Sequence, residues 1–227
     1  MRRIAIVGIF GVFIALSAHA EQIGEQTSLP MPWVASDGDV IDFTVLRKGK
    51  PFGRHTLTFD RAQDGQLTVT TDVDLQVKFG PITAFKYRLD SVEEWVGDKL
   101  ISLSGASNND GRKGKVSANS ADDQLIVEST EFDGALPATI IPSSHWNRLQ
   151  LYQDQMLSTE TGEVLDIDVE LIGDDAVSVA GKTVAATHYR LKSDLTVDLW
   201  YDAQSRWVKL AFKVRGQDIE YVLSELY

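Results

Sequence analysis

Apolar and polar residues alternate one for one over much of this chain, and turn residues interrupt the alternation at short intervals. That period of two belongs to a β-strand with one buried and one wet face, so it restricts the fold to antiparallel sheet architectures. Ile41, Phe43 and Val45 point one way and Asp42, Thr44 and Leu46 the other. Lys48-Gly49-Lys50-Pro51 then turns the chain, and Leu57 and Phe59 continue on the return strand. Gly53, just after that turn, marks a bulge or a positive φ that twists the ribbon. The longest run places Leu67, Val69, Thr71, Val73, Leu75 and Val77 on one face before a break at Gly80-Pro81. Asn109-Asp110-Gly111 carries the signature of a primed two-residue hairpin turn. Three final strands, Thr196 to Asp202, Trp207 to Arg215 and Ile219 to Leu226, complete the pattern. Short strands joined by turns predict an all-β or β-rich α+β fold with one large antiparallel sheet of about ten strands. Such a sheet rolls into an open or half barrel, because a flat one would leave a wide apolar face bare.

One segment departs from the period of two. After Pro142, Ser143 or Ser144 can cap a helix in which Trp146, Leu149, Tyr152 and Met156 fall at helical spacing. The spacing predicts a short helix from about Ser144 to Met156, its apolar stripe buried on the concave face of the sheet.

The amino-terminal segment reads as an address. Arg2 and Arg3 precede an apolar run from Ile4 to Leu16, and Ala18-His19-Ala20 has the small-x-small pattern of a cleavage site. The run is shorter than the roughly 20 apolar residues that span a bilayer. The expectation is a signal peptide over residues 1–20, cut after Ala20, and a soluble periplasmic protein with no stable membrane insertion. Residues 21–38 read as an N-terminal arm and residues 39–227 as a single β-rich domain. The chain has no cysteine, so neither a disulfide nor a lipid on cysteine is available to it. With 33 acidic against 22 basic side chains the net charge is −11, which predicts a surface that repels nucleic acid and anionic lipid.

Signatures of catalysis and metal binding are weak. Zinc calls for cysteines or closely spaced histidines, whereas His55, His145 and His188 lie far apart in sequence; no metal and no cofactor is expected. A calcium loop starting at Ala106 fails at its first and twelfth positions, which hold Ala106 and Ser117. Gly105-Ala106-Ser107-Asn108-Asn109 lacks the closing glycine of a nucleophile elbow, and Ser144 and His145, being adjacent, point apart. A triad of Ser143 or Ser144 with His145 or His188 and a carboxylate stays open. Gly111-Arg112-Lys113-Gly114-Lys115 is basic and glycine-rich but sits in a hairpin. There Arg112, Lys113 and Lys115 can contact an anionic lipid head or a partner's acidic patch.

Trp33, Trp95, Trp146, Trp200 and Trp207 are many for a domain of this size, and such residues either fill the core of a twisted sheet or line an apolar cavity. Trp200 shares its face with Asp198 while Leu199 and Tyr201 take the other, which leaves its indole exposed or at a cavity mouth. Trp146, Tyr152 and Trp200 are expected to meet an apolar ligand held between sheet and helix.

Leu199-Trp200-Tyr201-Asp202, Trp207-Val208-Lys209-Leu210-Ala211-Phe212, Gly216 and Ile219-Glu220-Tyr221 resemble an uncharacterised family of exported proteins of Gram-negative bacteria, defined as a domain of unknown function. The opening hairpin with Gly49 and Gly53 fits the same pattern, so the resemblance covers most of the chain. It implies a periplasmic β-rich fold, an open and strongly curved sheet like those of lipoprotein carriers, and it brings no catalytic residues. The function expected is a binding or carrier protein that shelters an apolar small molecule or lipid, such as an acyl chain. The alternatives are a cell-envelope structural or protein-interaction module with a solid core, and a hydrolase with a convergent Ser, His and carboxylate site.

Overall fold

Alternation of buried and exposed side chains along successive strands produces one thirteen-stranded antiparallel sheet in the computed structural model, which describes residues 33–227. In chain order its first arm comprises β1 (Val40–Arg47), β2 (Lys50–Arg61), β3 (Leu67–Phe79), β4 (Ile82–Val96), β5 (Lys99–Asn109), β6 (Arg112–Ala121), β7 (Gln124–Ser129) and β8 (Gly134–Pro137). A connector with three short strands follows, β9 (Ile141–Pro142), β10 (Gln155–Leu157) and β11 (Val164–Asp166). The second arm comprises β12 (Asp168–Val179), β13 (Lys182–Lys192), β14 (Val197–Asp202), β15 (Trp207–Val214) and β16 (Gln217–Leu223). The last strand pairs with the first, Val45 opposite Tyr221, so the sheet runs from β12 through β16 and β1 to β8. Its edges, β8 and β12, are not hydrogen-bonded to each other, and the sheet is an open barrel. The expected signal peptide and most of the expected arm lie outside the described residues.

Turn chemistry matches the sequence closely. Asp110 and Gly111 have φ of 52° and 98°, the primed turn that Asn-Asp-Gly announces, and Lys48-Gly49, Ala180-Gly181 and Arg215-Gly216 repeat the device. Beside Gly53 the β1–β2 register slips by one, Val45 facing Gly53 and Leu46 facing Pro51, so that Phe52 is the bulged residue.

Residues 138–167 carry the chain from β8 to β12 across the concave face, touching both arms. Ser107 on β5 donates to the Glu160 carbonyl at 3.0 Å, and Tyr201 on β14 donates to the His145 carbonyl at 2.7 Å. The helix expected over Ser144 to Met156 is not present; a single 3-10 turn, Arg148–Tyr152, stands in its place. Competing hydrogen bonds explain the difference. The Asn147 side chain caps the turn by accepting from the Leu149 N–H, and Gln150 is drawn to Tyr201 at 2.6 Å. Beyond the turn, the chain straightens into β10, pairing Met156 with Ile141 and Leu165. Of the expected stripe, Trp146 and Met156 are buried and Leu149 is half-buried, while Tyr152 is exposed and Leu151 is buried in its place.

The connector and the sheet share one core, in which Trp95, Trp207, Tyr201, Phe43 and Phe59 are fully buried. Each large apolar side chain removed from water stabilises by roughly 1.5–3 kcal/mol. Glu93 is buried among them, accepting the indole N–H of Trp95 at 2.9 Å and of Trp146 at 3.1 Å, and burial raises its pKa. These bonds tie the connector to β4. The arm ends in the core as well: Trp33 packs edge-on against Phe59 and Tyr227, and Arg61 donates twice to the Ala35 carbonyl.

Candidate functional site

Antiparallel order puts the β1–β2, β3–β4, β5–β6, β7–β8, β13–β14 and β15–β16 turns at one end of the open barrel. From that end a cavity of about 680 Å³ extends inward between sheet and connector. Its volume falls within the roughly 300–1,000 Å³ usual for small-molecule sites. Inward-facing residues near the mouth make apolar walls: Leu75 and Val77 of β3, Phe85 of β4, Phe212 of β15, Ile219 of β16 and the bulged Phe52. The floor is polar at His55, Ser143, His145 and Ser158, and Tyr87, level with Leu75, lines the side together with its partner Glu160.

The connector is pressed against β5 and β6, leaving the room elsewhere. A Cβ on Gly105 would run into the Thr159 carbonyl, and one on Gly114 into that of Glu160. Glycine at these two places lets backbone lie directly on backbone. Gly114 therefore answers to packing, although in sequence it belongs to the basic hairpin.

Electrostatically the floor is poised to stay uncharged at its two histidines. Both ring nitrogens of His55 are buried without a hydrogen-bond partner among the described residues, and burial pushes its pKa down to about 3, with His145 nearby adding to the shift. Burial also lowers the pKa of His145, whose Nδ1 pairs with Gln150 Oε1 at 2.9 Å. Burial raises the carboxyl of Glu160, a hydrogen-bond partner of Tyr87, and raises the Tyr87 phenol further still.

None of the three residues expected to meet a ligand lines this cavity. Trp146 is packed edge-on against Phe59 and Trp95, with ring centroids 5.4 and 5.6 Å away. Tyr152 ends the 3-10 turn and is exposed. Trp200 faces the convex side, as its parity with Asp198 indicates, yet it is buried. Its indole stacks on His188 at 4.2 Å, donates to Asp175 at 2.9 Å and carries the Lys209 ammonium 4.8 Å from its ring centre. It is covered because β12 also touches β15 and β16, doubling back over the outer face. The tryptophans fill cores, and the cavity takes its aromatics from Phe52, Phe85, Phe212, Tyr87 and Tyr221. Parity could have identified Phe85, Tyr87, Phe212 and Tyr221, whereas Phe52 has the opposite parity to His55, Leu57 and Phe59 and is turned inward by the bulge. What sequence does not reveal is which stretch of concave face the connector leaves uncovered.

Arg112, Lys113 and Lys115 are exposed on β6, and Arg112 lies 3.7 Å from Glu131. The parts of a hydrolytic triad are kept apart. Ser143 Oγ accepts from the Thr159 N–H at 3.1 Å, His145 is engaged by Gln150, and His188 bonds Asp198 at 3.0 Å on the opposite face. Among the described residues no group of three His, Asp or Glu side chains could hold a metal ion, and no helix is long and apolar enough to cross a membrane.

The fold is similar to a solved structure, a beta-barrel-like protein of the domain of unknown function DUF1849 from Brucella abortus. The TM-score is 0.56 at 10% identity, over 82% of this chain and 95% of that one. At that identity the likeness concerns the fold alone. No curated protein matches the sequence. The model of one protein family, described as Domain of unknown function (DUF6134), matches residues 43–224, a span holding almost all of the sheet and the whole connector. The chain belongs to the DUF6134 family.

Proposed function

We propose that this chain is a periplasmic binding or carrier protein for a molecule with an apolar tail, such as an acyl chain, held with its polar end toward the floor. The cavity carries the proposal. Its walls offer Leu75, Val77, Phe85 and Phe212 to a tail, while Ser143 and Ser158 offer hydrogen bonds to a head. A purely structural module would have every reason to fill this space, because an empty cavity forfeits packing contacts. The periplasmic location is supported by Arg2, Arg3, the apolar run and Ala18-His19-Ala20.

Titration of delipidated protein with a fluorescent fatty-acid probe tests it. Uptake should saturate, and Ala84→Trp, which fills the mouth, should weaken it at least tenfold. Trp200→Phe, on the convex face, should leave it unchanged. Uptake that does not saturate, or that ignores Ala84→Trp, would overturn the proposal.

A further inference from the structure

The net charge of −11 is unevenly placed. Turns at the closed end carry acids: Asp37, Asp39, Asp64, Asp98, Asp122 and Asp123. Turns at the mouth are basic. The β1–β2 turn carries Arg47, Lys48 and Lys50, and Lys78 and Lys86 flank the β3–β4 turn. Lys113 follows the β5–β6 turn and Arg215 forms the β15–β16 turn. None of these seven side chains has an ion-pair partner among the described residues, whereas Lys213 is held by Asp218 at 3.2 Å. Acids share this end: Asp110 and Asp194 on these turns, Glu131 and Asp133 on the β7–β8 turn, and Asp168 and Glu170 at the start of β12. Arg112 lies 3.7 Å from Glu131 and Lys192 pairs with Asp168 and Glu170, so the unpaired cations dominate the stretch of rim from the β15–β16 turn to the β5–β6 turn. Exposed apolar side chains stand on the same end: Ile82 beside the β3–β4 turn is 66% exposed, Val214 beside the β15–β16 turn 38%, and Leu195 on the neighbouring β13–β14 turn 38%.

We propose that the mouth of the barrel docks on an anionic phospholipid surface, Ile82, Leu195 and Val214 entering the headgroup layer while the rim cations meet lipid phosphates. Juxtaposed cations and apolar tips are the two components of peripheral membrane binding. Their arrangement favours a bilayer over an acidic protein. The cations sit on four neighbouring turns along one arc of an apolar opening, so a plane reaches all of them together. The acidic end is turned away by the same geometry, and the average charge, which predicts repulsion from anionic lipid, gives way to the local one. The proposal gains a purpose from ligand binding, since a poorly soluble tail can pass from bilayer to cavity without crossing water, but it does not depend on it.

Vesicle flotation with purified protein and no added ligand is the test. The protein should float with phosphatidylglycerol-containing vesicles, not with phosphatidylcholine alone, and less at high salt. Each lysine near an anionic surface contributes roughly fivefold in affinity. Lys50→Glu/Lys86→Glu/Lys113→Glu should therefore lower binding about a hundredfold or more, and Ile82→Ser should weaken it too. Lys99→Glu, at the closed end, should have no effect, and circular dichroism should confirm that every variant is folded. Absence of flotation, equal flotation on both lipids, or indifference to the triple reversal would overturn the proposal. So would binding to polyglutamate without binding to vesicles, which would point to an acidic protein. Because no ligand is present, each of these outcomes leaves the fatty-acid titration to stand or fall separately.

Discussion

His55 faces the cavity with both nitrogens unsatisfied, and that arrangement has a measurable cost. Burial holds its pKa at about 3 against 6.5 for a free imidazole. Between these values the unfolded chain binds a proton that the folded chain refuses. The contribution is fully present above pH 6.5 and is lost as pH falls through the window, at up to about 1.4 kcal/mol per unit. Glu93 and Glu160, raised by burial, act with the opposite sign, and His145 with the same sign, so the readout is a comparison of two proteins. In urea unfolding, His55→Phe should lose about 2 kcal/mol less than wild type between pH 7 and pH 5. Parallel losses would mean that the imidazole protonates freely in the folded state. The inward direction of His55 was legible from its parity with Leu57 and Phe59. Its isolation was not, because partners are supplied by other elements.

At the scale of elements, the connector decides the site. Its apolar anchors were legible at Trp146, Leu149 and Met156, but the exposed Tyr152 and the conformation were not. A helix over these residues would satisfy local spacing, whereas the chain bonds Gln150 to Tyr201 and pairs Met156 with Ile141 and Leu165. Tertiary hydrogen bonds outweigh a weak helical preference, since propensity differences amount to less than about 1 kcal/mol per residue. Close approach at Gly105 and Gly114 makes a second prediction. Alanine at either should destabilise by about 1–3 kcal/mol, because backbone carbonyls cannot yield as side chains do. Thermal unfolding would show it as a lower Tm. Ser107→Ala, which removes one bond to Glu160 and adds no bulk, should cost less, about 1 kcal/mol. If both glycines accept alanine without loss, the connector does not lie on β5 and β6 as described.

For the whole molecule, a ligand that enters the cavity must stabilise the fold, since the unfolded chain offers no such site. Saturation at a hundred times Kd adds about 2.7 kcal/mol. Tm should therefore rise with fatty-acid probe concentration in the wild type and stay nearly flat in Ala84→Trp. By itself the sequence determined the antiparallel sheet, its primed turns, the bulge beside Gly53 and the inward residues of most strands, because alternation and turn chemistry are local and survive any packing. It also determined that the segment around Trp146 would bury apolar side chains against the sheet, although as the connector seen here and not as the helix its spacing suggests. Only tertiary structure decided the rest. Pairing of β16 with β1 brought distant strands together. The connector's line across the sheet left one stretch of concave wall bare as a cavity. The doubling back of β12 covered Trp200, and the common direction of alternate turns set seven unpaired cations of an acidic chain along one arc of the mouth. Each of these depends on contacts between residues far apart in sequence, where a period of two carries no information.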